Sequence, residues 1–199
     1  MKKTGMLLVI AMISFSTLIA QKTYVADNEA TRIDWKGNKI IGSEHIGTID
    51  LQSGWLSLDE GVITGGEFIV DMKSITDTDL KDETMRAKLE GHLKSDDFFG
   101  VEKYPVSKLV ITEGTKFTGG TATVMGNLTI KEATHPVSFT VAVSESGAGD
   151  MMTYTAAITF DRSLYNVRFG SGKFFSNLGD NAIKDEIMLE IKLRLKTVQ

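Results

Sequence analysis

From about residue 31 to the C-terminus, apolar and polar residues alternate with period two, a pattern that fits strands with one dry and one wet face. The last segment shows it most clearly. Ile187, Leu189, Ile191, Leu193 and Leu195 share one face, and Glu186, Glu190, Lys192, Arg194 and Lys196 the other. Val137, Phe139, Val141 and Val143 alternate with polar or small neighbours, as do Met152, Tyr154, Ala156, Ile158 and Phe160. Weaker runs occupy about 31–41, 45–51, 54–59, 62–73, 106–113 and 117–130. Turn chemistry separates them at Gly42-Ser43, Ser53-Gly54, Asp59-Glu60-Gly61, Gly119-Gly120 and 146–150. Some eight or nine strands on short turns predict a sandwich or an up-and-down barrel, and closing the barrel removes exposed edges.

One stretch departs from this period. Between Asp77 and Lys94, Leu80, Met85, Leu89 and Leu93 recur at helical spacing, opposite Lys81, Asp82, Arg86, Lys88 and Glu90. Asp77 or Thr78 is the expected cap, and Gly91 the expected early end. Ser95-Asp96-Asp97 then reads as a fresh cap for a short turn carrying Phe98 and Phe99. The expectation is one helical excursion around 77–99, laid over the barrel by its apolar stripe.

The first twenty residues read differently again. Lys2 and Lys3 precede an apolar stretch from Met6 to Ile19, with the small Ala20 at a cleavage position. This is the layout of a secretory signal peptide, too short for a comfortable membrane span. The expected organisation is therefore a signal peptide over 1–20 and one domain over 21–199, delivered to the periplasm or secreted. The formal charge of −4 becomes more negative without residues 1–20, which carry two Lys and no acid. An acidic chain is a poor match for nucleic acid or an anionic membrane surface. The absence of Cys excludes disulfides, thiolate metal sites and lipid modification at a Cys.

Catalytic and metal motifs are weak. His45, His92 and His135 lie far apart with no metal-ligand spacing. Gly170-Ser171-Gly172-Lys173 fails as a phosphate loop, because Phe174 follows the Lys and the earlier Gly is missing. The sequence pairs no two carboxylates in an apolar setting, and Asp71, Asp96, Asp97 and Asp161 read as capping or solvated groups. No Ser sits in a nucleophile elbow. The chain is read as a non-enzyme without metal or cofactor. Two alternatives stand beside that reading: a barrel enzyme acting on a lipid or small polar substrate, and an outer-membrane barrel, against which the helical excursion and weak aromatic girdling argue.

Phe68, Phe139, Tyr154 and Phe160 fall on the apolar phases of their strands, while Phe98, Phe99, Phe169, Phe174 and Phe175 fall in connecting segments. Period two alone does not say whether the interior they face is full or hollow.

Five segments, in order, carry a resemblance that covers nearly the whole chain after residue 20. They are Gly65-Gly66-Glu67-Phe68-Ile69-Val70-Asp71-Met72-Lys73-Ser74-Ile75, Leu89-Glu90-Gly91-His92-Leu93-Lys94-Ser95-Asp96-Asp97-Phe98-Phe99, Glu102-Lys103-Tyr104-Pro105, Gly126 to Lys131 with His135-Pro136-Val137, and Asp161-Arg162-Ser163-Leu164-Tyr165 running to Gly172. Together they resemble the YceI-like family. Glu132 departs from the pattern, where Gly is more usual, and puts the geometry of that turn in question. The resemblance implies an extended, lipocalin-like antiparallel barrel of about eight strands, whose tunnel takes a polyisoprenoid such as a polyprenyl quinone or polyprenyl phosphate for carriage, storage or sequestration. It implies a ligand lining of Phe68, Met85, Leu89, His92, Leu93, Phe98, Phe99, Phe139, Tyr154, Phe160, Phe169 and Phe174, with His92 or Arg168 as head-group candidates at the mouth. Transient membrane contact and a homodimer are both compatible with such a carrier.

Overall fold

The computed structural model describes residues 21–146 and 151–197, so the expected signal peptide and most of the turn at 146–150 lie outside the described residues. Nine strands run in chain order: β1 (Lys22–Ala26), β2 (Arg32–Lys39), β3 (Glu44–Asp59), β4 (Val62–Asp77), β5 (Val106–Gly114), β6 (Thr121–Ile130), β7 (Ala133–Ser146), β8 (Met151–Asp161) and β9 (Ile183–Thr197). One helix, α1 (Glu83–Lys94), interrupts them between β4 and β5. Neighbours pair antiparallel in the order β1-β3-β2-β9-β8-β7-β6-β5-β4, and pairing of β3 with β4 closes the ring. β1 and β2 both lie between β3 and β9. β1 meets Trp55 to Leu58 and Leu195 to Thr197, whereas β2 meets Glu44 to Ile49 and Ile183 to Lys192. They are two halves of one stave interrupted at 27–31, so the molecule is a closed eight-stave barrel.

Local chemistry explains most of the boundaries. Glu60 (φ 47°) and Gly61 (φ 79°) make the two-residue left-handed turn that suits tight hairpins. Lys131 (φ 54°) carries the positive φ of the β6–β7 turn and Glu132 does not. The departure at Glu132 therefore introduces no backbone conflict.

Four expectations are corrected. Ser53-Gly54 is not a turn but part of an irregularity within the continuous β3, where Leu51 faces Val70 and Ser53 faces Ile69. Gly54 admits the Phe68 ring, which would lie 2.4 Å from an added Cβ. The run read as 117–130 begins as a strand only at Thr121, because Gly119 (φ 60°) and Gly120 (φ 83°) belong to the preceding loop. The helix starts at Glu83, not near Asp77: the Asp82 side chain accepts from the Met85 amide, while Asp77 caps an earlier turn through the Leu80 amide. Gly91 does not end it, since the helix continues to Lys94.

The two barrel ends are closed in different ways. At the hairpin end, Tyr24, Leu56, Ile63, Val124, Tyr154 and Leu195 are buried together, and Phe117 packs against them from the β5–β6 loop. At the other end, α1, the 95–105 segment and the 162–182 segment form a cap whose buried members include Leu93, Phe98, Phe99, Val101, Tyr165 and Val167. Arg162 holds that cap. Its guanidinium is fully buried and donates to the carbonyls of Val167 (3.0 Å), Lys184 (3.1 Å) and Ile183 (3.3 Å). It also pairs with Asp185 at 3.3 Å and lies 5.3 Å from the centre of the Phe98 ring. Lys131 adds a clasp, donating to the carbonyls of Phe98 and Asn166.

Two stability tests follow from these contacts. Replacing Arg162 with Met strands Asp185 and the three carbonyls, and a loss of about 3 kcal/mol or more is expected in urea unfolding. Gly47→Ala places a methyl 1.8 Å from the Thr76 carbonyl oxygen and 2.5 Å from the Trp35 ring, so the backbone of β3 must shift. A loss of roughly 1–3 kcal/mol is expected for that substitution in the same measurement.

Candidate functional site

Along β9 the inward side chains do not behave uniformly. Ile187 and Leu195 are buried, but Leu189, Ile191 and Leu193 between them are only partly buried, although they lie on the same inner face. The same holds for Phe68 and Val70 between Ile63 and Met72 on β4, and for Leu109 between Ser107 and Ile111 on β5. Phe68, Leu109, Leu189, Ile191 and Leu193 pack against both end clusters, and Val70 against the cap-end one, without joining the fully buried set of either. Their remaining exposure is to a cavity of about 350 Å³ inside the barrel, lined from Leu56, Ile63 and Val124 at the hairpin end to Leu93, Phe98 and Phe169 at the cap. The lining is almost wholly apolar, and the volume falls within the usual range for small-molecule sites.

Ten of the expected lining residues face this space: Phe68, Leu89, His92, Leu93, Phe98, Phe99, Phe139, Tyr154, Phe160 and Phe169. Met85 and Phe174 do not. Met85 is 53% exposed: it stands in the first turn of α1 on the same stripe as Leu89 and Leu93, but of the residues in this helix only Leu93, near its other end, is buried. Phe174 is 42% exposed, with Arg168 over its ring at 5.0 Å. Arg168 is likewise absent from the cavity wall. Sequence reading did not single out the largest part of the wall, including Ile33, Trp35, Ile49, Leu109, Leu189 and Ile191. Alternation was the available signal, but it marks a filled core equally well.

Polar groups collect at the cap end of the cavity. Asn38, Lys39, His45 and His92 lie there, while Thr31, Ser107, Lys108 and Thr155 are spread along the wall. His92 stands edge-on to Phe169, with ring centres 4.3 Å apart, and also contacts Phe98. Beside His45 lies a feature the sequence did not disclose. Its Nδ1 is 3.1 Å from Oδ2 of Asp79 and 3.8 Å from Oδ2 of Asp77, two carboxylates that the turn after β4 brings together. Burial pushes the Asp77 carboxyl up, helped by neighbouring Asp79 and opposed by the Leu80 amide. Burial acts on Asp79 in the same direction, but the Ile46 amide, Asp77 and His45 outweigh it and hold Asp79 low. Lys173, in the failed phosphate-loop segment, is paired with Asp161 and Ser163 instead.

The conserved-domain pattern described as the YceI-like domain matches residues 24–195. The chain belongs to the YceI-like family. A relative, a UPF0312 protein of Pseudomonas putida strain F1, is 29% identical over 152 residues, covering 73% of this chain and 76% of the relative. Among solved structures, Burkholderia cenocepacia BcnA superposes with a TM-score of 0.65 at 20% identity, covering 85% of this chain and 98% of that one. A polyisoprenoid binding domain from Saccharophagus degradans, implicated in plant cell wall breakdown, superposes with a TM-score of 0.63 at 11% identity, covering 90% of this chain and all of that one. The barrel expected from the sequence is the barrel of this family. Among the described residues, no helix is long and apolar enough to cross a membrane.

Burial of two tyrosines leaves a titration signature. Burial pushes the phenol of Tyr154, on the cavity wall, up to about 12, and that of Tyr165, in the cap, also up to about 12. Both groups keep their proton more firmly when folded than unfolded, so their contribution is intact below about pH 10 and is lost as pH rises towards 12. An ultraviolet titration of the folded protein should show the Tyr154 signal appearing only near pH 12, and Tyr154→Phe should remove that component.

Proposed function

We propose that the chain is an exported, non-enzymatic carrier or store for a long-chain isoprenoid lipid of the polyprenyl quinone or polyprenyl phosphate type, held inside the barrel. The observation that carries this reading is the mid-wall gap: Phe68, Leu109, Leu189, Ile191 and Leu193 face inward yet remain partly exposed to an apolar hollow. The printed ligand class of the Saccharophagus degradans domain supports the isoprenoid assignment.

A long tail suits the energetics. Each buried methylene contributes about 0.8 kcal/mol, so roughly ten carbons contribute about 8 kcal/mol. Lost translational and rotational freedom opposes this by about 4–15 kcal/mol, and a short tail would not overcome it. From Ile187 to Leu195 the wall runs for about 26 Å along the strand at the usual rise, a length that favours an extended guest. Asn38, Lys39 and His92 at the cap end supply the polar contacts for a head group.

Release to and uptake from a bilayer is part of the same proposal. Ile40 and Ile41 at the β2–β3 turn, with Phe169, Phe174 and Phe175, are exposed at this end of the barrel. The hairpin is tied to the 170–183 segment by the Ile40 amide on the Ala182 carbonyl, and that segment is closed on itself by the Ile183 amide on the Gly170 carbonyl. Transient insertion of these side chains among lipid head groups would place the polar end of the cavity beside the membrane. Thr31, Ser107 and Thr155 along the wall suit solvation or orientation, Lys108 pairs with Glu67 at 3.7 Å, and the His45 imidazole beside Asp79 sits at the rim.

Filling the gap tests the proposal. Mass spectrometry of lipid extracted from the purified, membrane-exposed protein should identify a long-chain isoprenoid. Ile191→Trp and Leu109→Trp should reduce loading roughly tenfold or more while leaving thermal stability equal or higher, since each ring occupies vacant space. Undiminished loading in both folded variants would remove the barrel interior as the binding site.

A further inference from the structure

We propose that His45, Asp77 and Asp79 form a divalent-cation site at the rim of the cavity, with Zn²⁺ the ion their donor set fits. Three separate pieces of chain build it: the start of β3, the end of β4 and the loop leading to α1. The loop is fastened to the strand, because the Ile46 amide donates to Asp79 Oδ1 and the Thr78 amide to the Ile46 carbonyl, each at 2.9 Å. The Leu80 amide donates to Asp77 Oδ1 at 2.9 Å. Each carboxylate thus has one oxygen committed to a backbone amide. The second oxygens, both Oδ2, are turned towards Nδ1 of His45.

The spacing matches a small cation. All three donor atoms lie within 4.8 Å of one another, and the imidazole nitrogen is 3.1 and 3.8 Å from the two oxygens. Zinc bonds of about 2.0–2.1 Å at the tetrahedral angle separate ligands by about 3.3 Å, inside that span. Water or a guest oxygen would complete the fourth position.

Charge gives the independent argument. The Asp77 side chain has 0% exposure, and its Oδ2 has no hydrogen-bond partner. A fully buried carboxylate oxygen without a partner is expensive, and a second carboxylate beside it makes ionisation harder still. Glu90 adds a third acid, accepting from the Asp77 amide at 2.9 Å. His45 is the basic group touching the two Asp, and Arg86 approaches the Leu80 carbonyl instead. A divalent ion would neutralise Asp77 and Asp79 together. One nitrogen among the donors favours Zn²⁺ over Mg²⁺ or Ca²⁺, which take oxygen ligands.

Isothermal titration calorimetry of the untagged protein, treated with EDTA and dialysed, decides the matter with ZnCl₂ and MgCl₂ as probes. One Zn²⁺ per chain is expected, with little Mg²⁺ heat and with affinity falling roughly tenfold or more in His45→Gln and in Asp79→Asn. Absence of Zn²⁺ binding by the parent protein would overturn the proposal, leaving a proton shared between Asp77 and Asp79. Binding that neither variant weakens would overturn it too, placing the ion at His92, His135 or elsewhere. Should a variant fail to fold by circular dichroism, crystals of the parent protein grown with Zn²⁺ give the answer. An anomalous peak bonded to His45 Nδ1 and the two Oδ2 atoms supports the site, and none there sinks it.

Discussion

Ring closure sets the terms for everything inside this molecule. Eight staves satisfy each other's backbone groups only if the last meets the first, and here the β3–β4 pairing makes that join. Once the ring is shut, its girth belongs to strand number and tilt, not to the size of the side chains within it. Leu, Ile and Val projecting inward from opposite walls need not meet at the axis. Where loops or a helix fold over the ends they do meet third parties, and there the residues are buried. Midway nothing arrives from outside, so Leu189, Ile191 and Leu193 border space. The hollow follows from the gap between a fixed girth and ordinary side chains.

The cap has to be firm because the cavity beneath it gives it little to rest on. Segments that cover a barrel mouth carry backbone carbonyls that no strand partner satisfies, and burying them unpaired is costly. One guanidinium answers several at once: Arg162 reaches three carbonyls and a carboxylate while its plane lies near Phe98. A Lys could not span that set with a single compact ammonium. Asp161 complements this by accepting from the Ser163 amide and pairing with Lys173, fixing how the chain leaves β8. Polar chemistry outside the cavity therefore keeps the inside apolar.

Much of this was legible in the residue order, and what escaped it did so for identifiable reasons. Alternation located β7, β8 and β9 and their inner faces, because period two is a local property of a strand. Ser53-Gly54 looked like a turn since Gly is ambiguous between turn and close approach; only the Phe68 ring across the pair decides between them. Asp77 and Asp82 are both good caps, and the choice between them depended on β4 continuing four residues further than its apolar pattern. The family resemblance implies Met85 and Phe174 in the lining, but the direction of a side chain is a tertiary property. The association of His45 with Asp77 and Asp79 spans more than thirty positions and depends on β3–β4 register, so no motif could announce it. Hollowness was the least legible, because a filled and an empty barrel share one pattern.

An apolar hollow is also a standing thermodynamic burden. Wall side chains that border a hollow forgo the dispersion contacts that a filled interior would supply. The compensation lies in the extensive closed ladder, whose paired staves leave little edge to fray, and in two dense end clusters that act as separate small cores. A guest that fills the middle would restore the lost contacts and, by binding the folded chain alone, would add stability that grows with the logarithm of its concentration over its dissociation constant. Guest and fold would then support each other: the barrel would shield an apolar guest from water, and the guest would supply the packing that the girth denies to the side chains.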